Sequence, residues 1–237
     1  MKSINPQEIE KFSRIADEWW NPNGKFKPLH KFNPTRLEYI VKVIFEKPST
    51  INHQPLTILD IGCGGGLLSV PLARLGAKVT GIDASEKNIQ VASLYAEREE
   101  IEIEYLCTSA EELSAQNRKF DVVLNMEVIE HVADVESFMQ ASCNLVKEGG
   151  LILIATLNRN LKSLAFAKIG AEYILNWLPK GTHDWNKFLK PSEIHNLLET
   201  NNCKPLEAKG VTYKPFKDKF ELSDDLSVNY MILARKG

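Results

Sequence analysis

Neither a paired cysteine motif nor a long apolar run occurs in this chain of 237 residues. Its cysteines, Cys63, Cys107, Cys143 and Cys203, are widely spaced, with no C-x-x-C pair and no histidine at zinc-finger spacing. That argues against a disulfide frame and a structural zinc site and fits a reducing compartment. No stretch of about 18 uncharged apolar residues exists, so a membrane-spanning helix is not expected, which leaves open a helix lying on a bilayer. Charge of one sign is missing too. The formal net charge is only -2, so no overall basic field draws the chain onto nucleic acid, and no nucleic-acid partner is expected. The opening MKSINPQEIEKF lacks both the apolar core of a secretory signal and the Arg/Ser bias of a transit peptide. A cytoplasmic protein is the expectation.

What is present is an ordinary globular composition, 43% hydrophobic and 25% charged, able to bury a substantial core. A helical pattern runs from Pro6 to Trp20, with Ile9, Phe12, Ile15, Ala16 and Trp19 at helical spacing, and a second helix is expected from Pro34 to Glu46. The polar, proline-bearing stretch KPSTINHQP (Lys47 to Pro55) reads as a linker. The expected division is therefore a helical lead over residues 1–50 and a main body over 51–237.

The main body alternates. TILDIG, KVTGID, IEIEYLCTS, FDVVLNM and GLILIATLN are β-rich, with helical stretches near Leu67 to Leu75, Glu86 to Arg98 and Val135 to Val146. This alternation predicts an α/β doubly wound, mostly parallel sheet covered by helices on both faces. A helical insertion follows Asn158, then a helix at Pro191 to Glu199 and strands near Leu206 to Tyr213 and Val228 to Ala234.

In ILDIGCGGGLLS the first strand runs into Gly62, Gly64, Gly65 and Gly66 and straight into a helix. Without Cβ atoms there, backbone N–H groups can approach a ligand closely, although such glycines also serve simply to let helix and strand pack. Asp83 ends the second strand, where a carboxylate can accept the two hydroxyls of a ribose. A dinucleotide fingerprint, G-x-G-x-x-G counted from Gly62, would need glycine at position 67, which is leucine. The pattern D-x-G-x-G-G-G instead resembles motif I of the class I S-adenosylmethionine-dependent methyltransferases. The resemblance implies a seven-stranded Rossmann-like sheet, S-adenosyl-L-methionine as cofactor, Asp60 and the glycine loop (Gly62, Gly64) facing its methionine end, and Met126 beside it.

NMEVIEHV follows the fourth strand and puts Glu127, Glu130 and His131 at i, i+3 and i+4, one side of a helical turn. Two carboxylates so close repel unless a proton or cation lies between them. One reading is a divalent metal, Mg²⁺ by preference for hard oxygen ligands, with the imidazole admitting Mn²⁺, Fe²⁺ or Zn²⁺. Others are a metal-free general base at His131 beside the methyl acceptor, and a solvated helix face at Glu130 and His131.

Taken with WWNPNGKFKPLHKFNPTRLEYI, TLNRNLKS, GAEYILNWLPKGTHDW and VNYM, these motifs resemble the ubiquinone-biosynthesis O-methyltransferases along nearly the whole chain. The resemblance implies methylation of a 2-polyprenyl-6-hydroxyphenol and of 3-demethylubiquinol. It implies cofactor contacts at Arg36, Gly62, Asp83 and Met126, metal contacts at Glu127, Glu130 and His131, and a lead that covers the cofactor site. It also implies association with other ubiquinone-biosynthesis proteins and attachment to the inner face of the membrane. The insertion over 159–184, apolar and aromatic with flanking Arg159, Lys162, Lys168 and Lys180, suits an interfacial helix on anionic phospholipid; core packing or a dimer contact would explain the same pattern. Readings from other classes are a soluble catechol O-methyltransferase and a non-catalytic cofactor-binding scaffold.

Overall fold

Apolar segments alternating with amphipathic ones assemble a single sheet in the computed structural model, which describes residues 3–46, 55–165 and 185–237. Its strands are β1 (Thr57–Ile61), β2 (Lys78–Asp83), β3 (Glu104–Cys107), β4 (Phe120–Met126), β5 (Val146–Leu157), β6 (Cys203–Lys214), β7 (Lys219–Ser223) and β8 (Asn229–Lys236). The order is β3-β2-β1-β4-β5-β8-β6-β7. The first five pair in parallel, β8 runs antiparallel to both β5 and β6, and β7 closes the edge antiparallel to β6. The helices are α1 (Pro6–Ser13), α2 (Lys27–Val41), α3 (Ser69–Arg74), α4 (Glu86–Arg98), α5 (Ala110–Ala115), α6 (Val135–Asn144), α7 (Leu161–Ala165) and α8 (Pro191–Thr200).

Strand residues alternate between two cores because successive side chains point to opposite faces. Leu59, Ile61, Val123, Ile152 and Ile154 pack with Leu113 of α5, Phe138 of α6 and Ile194 of α8. Ile58, Val122, Leu124, Leu151 and Leu153 pack on the other face with Tyr39 and Ile40 of α2 and Leu72 of α3. Side-chain caps start the covering helices: Ser85 accepts from the Asn88 amide, Asp134 from that of Ser137, and Ser109 with Glu112 forms a capping box.

The doubly wound, mostly parallel sheet agrees with the sequence, but it has eight strands where seven were expected. The additional strand, KFELS, presents Phe220 and Leu222 to the core in strict alternation with polar residues, a pattern hidden within the charge-rich KPFKDKFELSDD. The lead also differs. The expected helix from Pro6 to Trp20 breaks after Ser13 and resumes as a short 3-10 turn, Ala16–Glu18. The second helix begins at Lys27, upstream of Pro34, and continues through it to a π-helical turn, Lys42–Glu46. A proline's missing N–H and its ring make it read as a helix start, yet packing of Phe32, Tyr39 and Ile40 carries the helix across it. Of the linker and the insertion over 159–184, residues 47–54 and 166–184 lie outside the described ones; Leu161 in α7 is strongly exposed.

From β7 the chain returns to β8 across β6, and a Cβ at Gly210 would lie 1.9 Å from the Asp225 carbonyl oxygen. Only glycine tolerates that crossing. Gly210→Ala is expected to lower stability by about 1–3 kcal/mol, the range for forced overpacking, read from the urea midpoint; an unchanged midpoint would show that the crossing yields freely.

Candidate active site

α3 leaves β1 to one face and α6 leaves β4 to the other, so the chain parts between these neighbours and opens a crevice at their carboxyl ends. A cavity of about 730 Å³ occupies it. Asp60, Gly62, Gly64, Asp83, Met126 and Glu127 line its floor, and the lead contributes Glu8, Phe12, Trp19 and Arg36.

Two buried groups of opposite charge stand at one end. Asp60 lies one residue before the end of β1, at 3% exposure, and its Oδ2 accepts a 2.6 Å hydrogen bond from Ser69 Oγ. Burial pushes its carboxyl up to about 6, against the Ser69 hydrogen bond and the nearby Arg36 charge. Arg36, 2% exposed, reaches in from α2, stacks on the Phe32 ring and meets Glu127 at 2.8 Å. Desolvation lowers its pKa, opposed by Glu127, Glu130 and Asp60. Its Nε has no hydrogen-bond acceptor among the described residues. A ligand carrying both an ammonium and a carboxylate matches this pair.

At the other end Asp83 closes β2. Its oxygens accept from the Gly64 amide (3.0 Å), the Ser85 amide (2.8 Å) and Asn88 Nδ2 (3.2 Å). Burial raises its pKa while these donors hold it down. A carboxylate has about four acceptor directions, so these bonds do not exhaust it for hydroxyls. Gly62 and Gly64 both take positive φ, +67° and +54°. A Cβ at Gly62 would meet Val128 at 2.4 Å and one at Gly64 would meet the Trp19 indole at 2.4 Å.

Glu127, Glu130 and His131 do not share one side of a helical turn as their spacing predicts. Glu127 sits at φ +59°, before the turn, and only Ile129–His131 are 3-10 helical. A left-handed glutamate is a strained conformation of the kind found at functional turns. It directs Glu127 to Arg36. Glu130 is 2% exposed and accepts from Thr156 Oγ1 at 2.8 Å, while its Oε1 has no partner among the described residues. Burial, then the Glu127 charge, raises its carboxyl to about 7. His131 Nδ1 lies 3.0 Å from Glu8 Oε2. The donor types suit a divalent cation, but among the described residues no three acidic, histidine or cysteine side chains converge to hold one.

Several contacts were invisible in the sequence. Glu8, on α1, lies 123 positions from His131. Trp19 Nε1 donates to Asn88 Oδ1 (2.9 Å) and Trp20 Nε1 to the Gly65 carbonyl (2.8 Å), tying the lead to the glycine loop and α4. Trp19 stacks on Phe26 and Trp20 on Tyr95. The aromatic run WW was a visible signal of burial; nothing local announced its partners.

The chain is similar to known proteins. A family described as a methyltransferase domain matches residues 29–208. The ubiquinone biosynthesis O-methyltransferase of Bartonella bacilliformis is 53% identical over 239 residues, covering 99% of this chain and 96% of the relative. That of Pelagibacter ubique is 51% identical over 235 residues, 98% of each. Among solved structures, a magnesium protoporphyrin IX methyltransferase from Synechocystis with bound SAH superposes with a TM-score of 0.65 at 19% identity, over 98% of this chain and 95% of that one, which shows a shared fold.

The His131 contact holds the Glu8 carboxyl down to about 2 from an ordinary 4.5. Ionised Glu8 therefore stabilises the fold above pH 4.5, and that contribution disappears as pH falls toward 2. Glu8→Gln is expected to flatten the loss of thermal midpoint across this window by about 2–4 °C. A variant tracking the wild type throughout would mean that the pair adds no stability.

Proposed function

Because the chain belongs to the ubiquinone biosynthesis O-methyltransferases, we propose that its cavity presents S-adenosyl-L-methionine to a ring hydroxyl of a 2-polyprenyl-6-hydroxyphenol and of 3-demethylubiquinol. It is an S-adenosylmethionine-dependent O-methyltransferase. The observation that carries the cofactor assignment is the buried Asp60 and Arg36 in the cavity that Asp83 also lines. Asp60 takes the ammonium of the methionine moiety, Arg36 its carboxylate, and Asp83 the ribose hydroxyls. Met126, at the end of β4, lines the cavity with Phe12 and His131 and would lie beside the bound cofactor.

Methyl transfer is a displacement, so the protein's task is to align an oxygen with the methyl group and to remove the hydroxyl proton. Arg36, whose Nε lacks an acceptor among the described residues, would take the cofactor carboxylate, and Glu127, Glu130 and His131 would be the donors that hold a divalent cation. Mg²⁺ held there would supply Lewis-acid polarisation of the acceptor hydroxyl. The unpartnered Oε1 of Glu130 and its raised pKa beside Glu127 support that role, since a cation relieves both. A second reading is favoured by the Glu8 contact: a carboxylate accepting from Nδ1 orients the His131 ring and leaves Nε2 as the base, without metal. The polyprenyl tail implies work at a membrane surface, where residues 159–184 make contact with anionic lipid; other enzymes of the pathway are its expected neighbours.

Turnover of a short-chain demethylubiquinol with and without chelator separates the two readings: dependence on added Mg²⁺ assigns the cation, and indifference assigns His131 as sole base. Asp83→Ala is expected to weaken S-adenosylhomocysteine binding at least tenfold, about 1.4 kcal/mol, by calorimetry. Glu130→Ala is expected to lose most turnover with that affinity kept. A wild-type protein that binds the cofactor yet methylates neither acceptor would overturn the reading in favour of a scaffold.

A further inference from the structure

Among the described residues, no large hydrophobic side chain is more exposed than Phe216. A single exposed apolar residue is ordinary on a protein surface, but this one has a particular position. Val211 of β6 pairs with Asn229 of β8, which pairs with Leu157, the last residue of β5. The β6–β7 hairpin continues past that level through the pairs Tyr213 with Phe220 and Lys214 with Lys219. At about 3.3 Å per residue it overhangs the carboxyl edge of the sheet by about 10 Å. Phe216 stands in the turn at its tip, Pro215–Lys217, closed by Asp218 in the left-handed conformation.

The hairpin is fixed at its root. Phe220 lines the cavity, its ring packs 4.8 Å from that of Phe32, and its carbonyl accepts from Thr35 Oγ1 at 2.9 Å. Lys31 binds Asp218 from α2. Around the tip stand Lys27, Lys31, Lys214, Lys217 and Lys219, and the acids they meet among the described residues include Asp218 and Glu221, with Glu221 shared by Lys217 and Lys219 at 3.0 Å each. This is a positive island on a chain whose net charge is -2. Leu161, 80% exposed in α7, follows the last residue of β5 at the same edge.

An aromatic tip ringed by cations, rigidly held beside a cavity wall, matches the chemistry of an anionic bilayer interface: an apolar acyl boundary beneath negatively charged headgroups. We propose that the β6–β7 tip is a membrane anchor that inserts Phe216 among the lipids while Lys214, Lys217 and Lys219 meet the headgroups. It is separate from the segment over 159–184, and its purpose, bringing the carboxyl edge to where a lipid-borne acceptor lies, rests on the methyltransferase reading above.

The test is flotation of the full chain with vesicles of phosphatidylcholine alone or with phosphatidylglycerol. Phe216→Ser is expected to lower partitioning onto the anionic vesicles about fivefold, and Lys214→Glu with Lys217→Glu more than tenfold, with a flatter salt dependence; about 1 kcal/mol per cation near such a surface corresponds to roughly fivefold. Thermal midpoints and turnover of a short-chain soluble acceptor should stay at wild-type values, while turnover of a vesicle-borne long-chain acceptor falls with partitioning. Wild-type partitioning by both variants overturns the anchor, as does a change of sedimentation mass in Phe216→Ser with partitioning unchanged, which would make the tip a contact between copies. Wild-type inactivity on both acceptors would instead sink the enzymatic reading, and the vesicle result would still decide the anchor.

Discussion

The carboxyl edge of this sheet depends on one buried cation. Asp60, Glu127 and Glu130 converge electrostatically on Arg36, and two of these carboxyls already sit well above their ordinary range because water is excluded. Burying such groups costs several kcal/mol each, and removing one partner of a buried pair typically costs about 3–5 kcal/mol. Charges tolerated at that expense, in a crevice at the topological switch, match the two charges of a zwitterionic ligand. The guanidinium is held between the Phe32 ring and the Glu127 carboxylate.

Arg36 belongs to α2, not to the alternating body. The lead therefore supplies both the counter-charge for the acids of the sheet and part of the cavity lining. Trp19 lies on the glycine loop, Trp20 binds its carbonyl, and Glu8 reaches His131. Glycine at 64 serves this packing directly, because a Cβ would collide with the indole. The antiparallel extension does the complementary work on the far side: Phe220 walls the cavity while the strand carrying it also forms the hairpin that overhangs it.

Much of this was legible in the chain. The alternation of apolar runs with amphipathic ones foretold the parallel sheet, since side-chain period and strand burial are local properties. Asp60, the glycines and Asp83 could be located because a strand end followed by a glycine turn places them at the ligand edge whatever else the fold does. β7 was hidden, because its two core residues alternate with charges inside a charged loop sequence. Helical spacing misled at Glu127, where a left-handed backbone, unreadable from residue type, sets the residue before the turn and in an ion pair with Arg36.

Local pattern and covalent neighbourhood were thus enough to determine the α/β class, the glycine turn after β1 and the residue types along the crevice, because hydrophobic period and backbone freedom act over a few residues. Which groups touch was decided by tertiary structure alone. Glu8 and His131, Arg36 and Glu127, Trp19 and Asn88 are brought together by packing of the lead on the sheet, and buried charges take whatever partners the fold delivers to them.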